Sequence, residues 1–359
     1  MADFRSFRNA RRIPARPMEP VVDPAAWTAE TLGGVDDFAY RLTARDADEL
    51  IAGIAAFRRY GLPIEQVGRD NFPLDGFADA LADVRRELID GRGIVMLRGF
   101  PVERLAREEQ AIAYLGLGAY LGTAMSQNRH GHILGHVKDL GGDYADSNTR
   151  GYMTNAEMRF HSDACDYVGL LCLNAARRGG ESRVASSVAV YNRMLEARPD
   201  LAAELCGDFY RSRSGEANPG DAPWIKHPIF CFADGYFSAL GLGAAVDKAQ
   251  KLPGVPPFTP AQKEAIALYR ATVEACAVDM DLVPGDIQFL NNFVTLHTRR
   301  AYEDWPEPER KRHLLRLWLH DPASRPLPNE LREGRQGRGV RLDGVKLIAP
   351  LDVDAAAAA

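Results

Sequence analysis

Cysteine is scarce in this chain: Cys165, Cys172, Cys206, Cys231 and Cys276 are the only five among 359 residues, and no pair has C-x-x-C spacing. So sparse and odd a set excludes a disulfide framework and points to reduced thiols in a reducing compartment. Long apolar runs are lacking too. None reaches the roughly 18–20 residues of a membrane span. Residues 1–20 carry Arg5, Arg8, Arg11, Arg12 and Arg16 without the apolar stretch of a secretory signal. Nor is positive charge in excess. Lys plus Arg is 44 against 49 for Asp plus Glu, a formal net charge of −5, which provides no field for gripping phosphate backbones. The expectation is a cytoplasmic protein with a small-molecule partner and neither nucleic acid nor membrane to bind; a homo-oligomer is compatible with it.

With 46% hydrophobic and 26% charged residues, the composition is that of an ordinary globular chain. Its length allows two domains, or one large β-rich domain with insertions. Residues 1–40, rich in Pro and Arg, read as a segment wrapping the surface of a single domain over 41–330. An irregular insertion at about 190–280 and a tail over 331–359 complete the division. Helical spacing begins at Asp46 with Leu50, Ile54 and Phe57, and recurs over Asp75–Asp90 and Arg107–Leu121. Ile94–Leu97, Val168–Leu173, Ser182–Ala185, Ile287–Leu290 and His313–His320 read as strands. Ser187 reads as a cap for a helix ended by Pro199. Thr259-Pro260-Ala261-Gln262 is a capping box with proline at the first helical position. Seven prolines between about 209 and 260 predict irregular chain, with short strands near Ile229–Phe232 and Tyr236–Ala239. Without internal repeats, regular strand–helix alternation or a G-x-G-x-x-G, a doubly wound fold is set aside. The pattern is mainly β with helical cladding (α+β), an antiparallel sandwich or barrel.

Chemistry concentrates in three places: Phe160-His161-Ser162-Asp163, Leu296-His297, and the pair Arg312 and Arg316. On a strand, residues i and i+2 share a face, so His161 and Asp163 would aim an imidazole and a carboxylate into one cavity. A second imidazole from His297 would complete two histidines and one carboxylate, the facial set of non-haem Fe(II) oxygenases. Taken alone, an H-x-D is as readily a hydrogen-bonded pair. Arg312 and Arg316, four apart on a predicted strand and roughly 13 Å from one another, would face the core together, which is costly without an anion. Their alternative is pairing with Glu303 or Asp304. His130, His132 and His136 offer a second paper metal site, but no cysteine or H-x-x-E-H accompanies them, and Gly131 and Gly135 loosen the segment.

The upstream FHSD, then Gly179-Gly180-Glu181-Ser182, Gly285-Asp286, Asn291-Asn292, His297, Arg312 and Arg316 together resemble the taurine dioxygenase/TfdA-like family of Fe(II)- and 2-oxoglutarate-dependent dioxygenases, clavaminate synthase-like members included. The matching blocks run from about residue 92 to 320. The resemblance implies a double-stranded β-helix (jelly-roll) core. It implies Fe(II) on His161, Asp163 and His297, with O2 and 2-oxoglutarate as co-substrates. It also implies that Arg312 pairs with the distal carboxylate of 2-oxoglutarate, while Arg316 lies nearer the primary substrate or shares that anion. Ser182 stands where the family places a threonine hydroxyl toward the same co-substrate, or is a plain hairpin residue. His132 is the choice for a pocket histidine, and Glu157 and Arg159 share the strand parity of His161 and would line the substrate pocket.

The implied reaction hydroxylates or desaturates an unactivated C–H bond of a small polar substrate, acidic or zwitterionic, with release of succinate and carbon dioxide. Halogenation is disfavoured because Asp163 fills the position a halide needs. Two other readings stand beside this one. A Zn-dependent hydrolase on the same triad leaves Arg312 and Arg316 without a purpose. A non-catalytic organic-acid binder or sensor on a jelly roll is compatible with fold alone.

Overall fold

The computed structural model describes residues 11–142, 153–328, 339–340 and 342–352. Fourteen strands are labelled below: β1 (Ala39–Arg41), β2 (Ile94–Arg98), β3 (Thr123–Ala124), β4 (Leu134–Val137), β5 (Tyr167–Asn174), β6 (Ser182–Ser186), β7 (Asp208–Ser212), β8 (Trp224–Pro228), β9 (Phe230–Ala233), β10 (Tyr236–Ala239), β11 (Val278–Met280), β12 (Ile287–Asn291), β13 (Thr295–Arg299) and β14 (His313–His320). The principal helices are α1 (Ala44–Arg58), α2 (Gly76–Asp90), α3 (Arg107–Gly118), α4 (Ser187–Ala197), α5 (Pro199–Glu204) and α6 (Pro260–Cys276).

Two sheets make the core. The larger runs β1-β2-β12-β5-β14, with β3 and β4 both pairing β14; the smaller is β11-β6-β13. Only β1–β2 is parallel among these pairs. Side chains meet between the sheets: Ser182 Oγ donates to Gln288 Oε1 at 3.0 Å, and Val184 and Met280 share an apolar cluster with Ile94, Met96, Val168, Leu290 and Trp318. This is a jelly roll whose sheets do not close into one barrel.

The outer face of the large sheet is covered by α1, α2 and α3. Leu50, Ile54 and Phe57, then Phe77, Leu81, Val84 and Leu88, pack against Val95, Leu97, Leu171, Phe289, Leu315 and Leu317. Both faces being covered, β5 and β14 carry apolar residues at consecutive positions instead of alternating. On β14 the alternation survives in orientation: Leu315 and Leu317 join the helix-covered face, and Trp318 joins the inner cluster. Local chemistry sets the helix starts. Thr43 accepts from Asp46 N while Asp46 accepts from Thr43 N, and Thr259 and Gln262 do the same for α6.

Several elements differ from what the sequence predicts. The cap of α4 is Ser186, whose hydroxyl accepts from Ala189 N. Pro199 follows α4 but also opens α5 at its first position. The helix expected to reach Leu121 ends at Gly118. The insertion is less irregular than its prolines suggest, because it holds the hairpins β7–β8 and β9–β10. Pro219 and Pro223 fall between β7 and β8, where no ladder donor is lost. All five thiols are free. Among the described residues no helix is long and apolar enough to cross a membrane.

At the start of β14, His313 Nε2 lies 2.8 Å from His136 Nδ1, and His136 Nε2 donates to Pro350 O at 2.8 Å. Burial pushes His313 from the ordinary 6.5 down to about 3, with His136, Arg107 and Lys138 adding to it. A buried neutral imidazole contributes stability that is full above the unfolded value near 6.5 and lost as pH falls from there toward 3. Urea denaturation between pH 7 and 5 is therefore expected to show declining stability, with a slope shallower by up to about 1.4 kcal/mol per pH unit in His313→Gln. Equal slopes in both proteins would contradict the assignment.

Candidate metal centre

His161 and His297 come from distant parts of the chain and are joined by backbone. His161 N donates to His297 O at 3.0 Å and His297 N donates to His161 O at 2.9 Å. This isolated bridge sets the two imidazole centroids 4.3 Å apart. Asp163 lies in the irregular stretch that follows, its backbone N donating to Asn292 Oδ1 at 3.0 Å. The donor atoms of His161, Asp163 and His297 all lie within 4.8 Å of one another. His161 Nε2 is 3.9 Å from Asp163 Oδ1, and His297 Nε2 is 3.8 Å from Asp163 Oδ2.

The surroundings hold this set in one arrangement. Trp318 Nε1 donates to Asp163 Oδ2 at 2.8 Å and Arg316 Nη1 approaches the same oxygen at 3.5 Å. Arg316 Nε donates to Gln127 Oε1 at 2.8 Å, while Gln127 Nε2 donates to the carbonyls of Arg316 and Ile133. His161 Nδ1 donates to Arg159 O at 2.9 Å, which leaves Nε2 as the lone-pair nitrogen. Burial lowers both imidazoles, His297 to about 3. Burial by itself would raise the Asp163 carboxyl, but Arg316, then the two imidazoles and the Trp318 hydrogen bond, overcome it and bring it to about 2. Two neutral imidazoles and one ionised carboxylate fit a divalent transition metal; the outer atoms of His161 and Asp163 are engaged, whereas His297 Nδ1 is buried without a hydrogen-bond partner.

Beside the triad lies a cationic recess. Arg312 is buried, with its guanidinium 5.1 Å from the Tyr302 ring centroid and Nη1 without a hydrogen-bond partner. Neither acid weighed as its partner takes the guanidinium: Asp304 accepts from the Arg312 backbone N at 2.7 Å, and Glu303 pairs with Arg178. Gly180, at φ 80°, lies against it; a Cβ there would stand 3.1 Å from Arg312 Nε. Arg299 comes from β13 two residues beyond His297 and sits 4.6 Å over the same Tyr302 ring, donating to the carbonyls of Thr154 and Ala156. Burial, then Arg312, lowers its pKa to about 10. Ser182, Arg299, Arg312 and Arg316 line one pocket with His161 and His297.

Three residues expected at the substrate pocket are not brought there. Glu157 and Arg159 are exposed; Glu157 faces Arg183 at 3.8 Å and Arg159 pairs with Asp247. Residues 155–160 form no regular strand, so i, i+2 parity does not carry back from His161, and Met158 lines the pocket instead. His132 bridges to Ile348, and its ring stands 5.6 Å from that of His130. The three clustered histidines do not converge: His136 turns to His313. With Asp352, these form a second group of three closely spaced donors, but its two imidazoles already bond one another and Lys138 approaches Asp352 at 3.7 Å. Arg299 and Gln127 went unread in the sequence; Trp318 shares the strand parity of Arg312 and Arg316, but nothing in that parity ties its indole to Asp163. Arg299 had a usable signal, the parity it shares with His297.

Fold and site together define a non-haem iron oxygenase on a jelly roll. The family model described as "Taurine catabolism dioxygenase TauD, TfdA family" matches residues 58–318, and the chain belongs to that family. It is 32% identical over 329 residues to the FR-33289 synthase of Streptomyces rubellomurinus, covering 89% of this chain and 96% of that one. Clavaminate synthase 2 of Streptomyces clavuligerus is 27% identical over 274 residues, covering 68% and 78%. Among solved structures, asparagine oxygenase in complex with Fe(II), 3-hydroxyasparagine and succinate superposes with a TM-score of 0.61 at 20% identity, covering 79% of this chain and 93% of the other. The chain is an Fe(II)- and 2-oxoglutarate-dependent dioxygenase.

The outer contacts make a direct prediction. Anaerobic equilibrium dialysis should show Fe(II) binding abolished in Asp163→Ala and weakened roughly 10- to 100-fold in Trp318→Phe, which frees Asp163 Oδ2 from its indole. Unchanged affinity in Trp318→Phe would show that the indole does not orient the ligand.

Proposed function

We propose that His161, Asp163 and His297 hold the iron, that Arg312 receives the distal carboxylate of 2-oxoglutarate, and that the enzyme hydroxylates or desaturates a small acidic or zwitterionic molecule. The observation that carries the co-substrate assignment is the buried Arg312 guanidinium with an unpartnered Nη1 and no carboxylate paired to it among the described residues. A buried cation in that condition calls for an anion, and a guanidinium fork matches a carboxylate. Arg299 adds a second positive charge at Tyr302, and Ser182 supplies a hydroxyl in the same pocket. Arg316 serves as a positioning residue: its contacts to Asp163 and Gln127 fix the carboxylate ligand.

When bound, iron with 2-oxoglutarate and O2 supplies the oxidising power that breaks a C–H bond, with succinate and carbon dioxide as co-products. The chain orients and encloses. The apolar side chains of Val137, Met158, Leu170, Leu282 and Leu314 line the pocket and limit water. A small amino-acid-like substrate accords with the hydroxyasparagine held by the asparagine oxygenase and with the surplus of cationic groups around this site. The hydrolase alternative gives the Arg312 recess no task, and a binder without turnover would release no succinate.

Arg312→Ala should raise the KM for 2-oxoglutarate far more than that for the primary substrate, by an amount corresponding to roughly 2–5 kcal/mol for truncating one partner of a buried charge pair. Equal effects on both would place the anion elsewhere. Substrate-stimulated succinate release, scored over amino acids, sulfonates and neutral apolar compounds, is expected to favour the first two classes. Stimulation by the apolar members alone would overturn the acidic-substrate reading.

A further inference from the structure

We infer that Arg211, on the first strand of the insertion, is the cation that receives a carboxylate or sulfonate of the primary substrate; this rests on the acidic-substrate reading above and assigns it a residue. Strand β7 pairs with β8 in antiparallel register, Phe209 opposite His227 and Arg211 opposite Ile225. Residues i and i+2 of a strand share a face. Phe209 is buried in the core of the insertion, 6.3 Å from the ring of Phe258, so Arg211 turns inward with it while staying partly open to solvent. There it lies within electrostatic reach of Asp163, His161, His227 and Tyr269.

The insertion packs directly on the metal ligands. Gly241 N donates to Ser162 Oγ at 2.9 Å, and a Cβ on Gly243 would stand 3.0 Å from the His161 Cβ. The chain after Gly243 forms the helix Ala244–Ala249, which packs against β7, so β7 lies beside the triad on a segment that makes no part of either core sheet.

What sets Arg211 apart is its lack of an engaged partner. Arg159 pairs with Asp247, Arg183 with Asp279 and Glu274, and Arg316 with Asp163 and Gln127. Among the described residues no hydrogen bond or ion pair reaches the Arg211 guanidinium. Asp163 is the carboxylate in its electrostatic reach, and that group is committed to the metal. The nearby His227 offers no counter-charge: Nδ1 donates to Pro228 O at 2.9 Å, and Nε2 is buried without a partner. A partly buried guanidinium next to a bound divalent metal is uncompensated until an anion arrives, and a planar fork of donors suits carboxylates and other oxyanions. Arg299 arises from β13 and Arg312 from the approach to β14, whereas Arg211 belongs to the insertion. The two anions of the reaction mixture therefore have separate receptors.

The test is anaerobic calorimetry on protein loaded with Fe(II) and 2-oxoglutarate, titrated with methanesulfonate, acetate or neutral dimethyl sulfone. Wild type is expected to bind the two anions and not the sulfone. Arg211→Gln should weaken anion binding roughly tenfold or more, the loss of a hydrogen bond to a charged group. Arg211→Lys should retain most of it, and Arg159→Gln should leave it unchanged. Equal anion affinity in wild type and Arg211→Gln overturns the assignment, as does a wild type that does not distinguish anions from the sulfone. Failure of wild type to bind 2-oxoglutarate in the loading step is a different result: it overturns the reading of the site, and the Arg211 assignment with it.

Discussion

Two backbone hydrogen bonds between His161 and His297 are what the rest of the site depends on. They fasten a segment with no regular structure of its own to β13, the outer strand of the small sheet, at the residue where an imidazole faces the cavity. Once that bridge is formed, the Asp163 carboxylate has one place to go. Asn292 holds its backbone, and Trp318 and Arg316, which lie on the inner face of β14, hold its oxygen. The large sheet thus reaches across the jelly roll to position a ligand carried by the loop, and the small sheet supplies the partner imidazole. Burial then multiplies the effect of each charge, because electrostatic interactions are stronger where water is excluded.

Charge is unevenly placed. The whole chain is acidic by five units, yet Arg211, Arg299, Arg312 and Arg316 gather around a triad containing one carboxylate. Arg316 is answered by Asp163 and Gln127, and Arg299 by two backbone carbonyls. On the proposed reading, Arg312 and Arg211 are matched to anions that arrive with the reaction. Such an arrangement makes an empty site unfavourable and couples binding to recognition: each guanidinium left unanswered by the chain is a preference for a guest carrying negative charge.

How much of this was legible in the residues themselves follows from how local each signal is. The helices α1, α2 and α6 could be read because their apolar stripes, and for α6 its capping box, lie within a few residues. β14 could be read because both its faces are buried and its apolar run is continuous. The strand β13 was not, since Thr295-Leu296-His297-Thr298-Arg299 has no apolar run and its character comes from pairing with β6. His161, Asp163, His297 and Arg312 were legible through the combination they make, though the geometry differs from the strand first drawn for H-x-D. Glu157, Arg159 and His132 were misplaced for one reason: parity was extended through a segment without a ladder, and the contacts of His132 with the chain near Ile348 have no signature in sequence. Arg211 was hidden by the prolines around it, which masked a hairpin as irregular chain.

The triad and the recess beside it are proposed to form one site for iron chelated by a 2-oxo acid. Anaerobic addition of Fe(II) and then 2-oxoglutarate, followed by visible absorption, tests it most directly. A weak metal-to-ligand charge-transfer band is expected in wild type, absent in both His161→Ala and Asp163→Ala, and present in Arg312→Ala only at much higher 2-oxoglutarate. A band of wild-type intensity in both ligand variants would contradict the assignment of the metal to these residues.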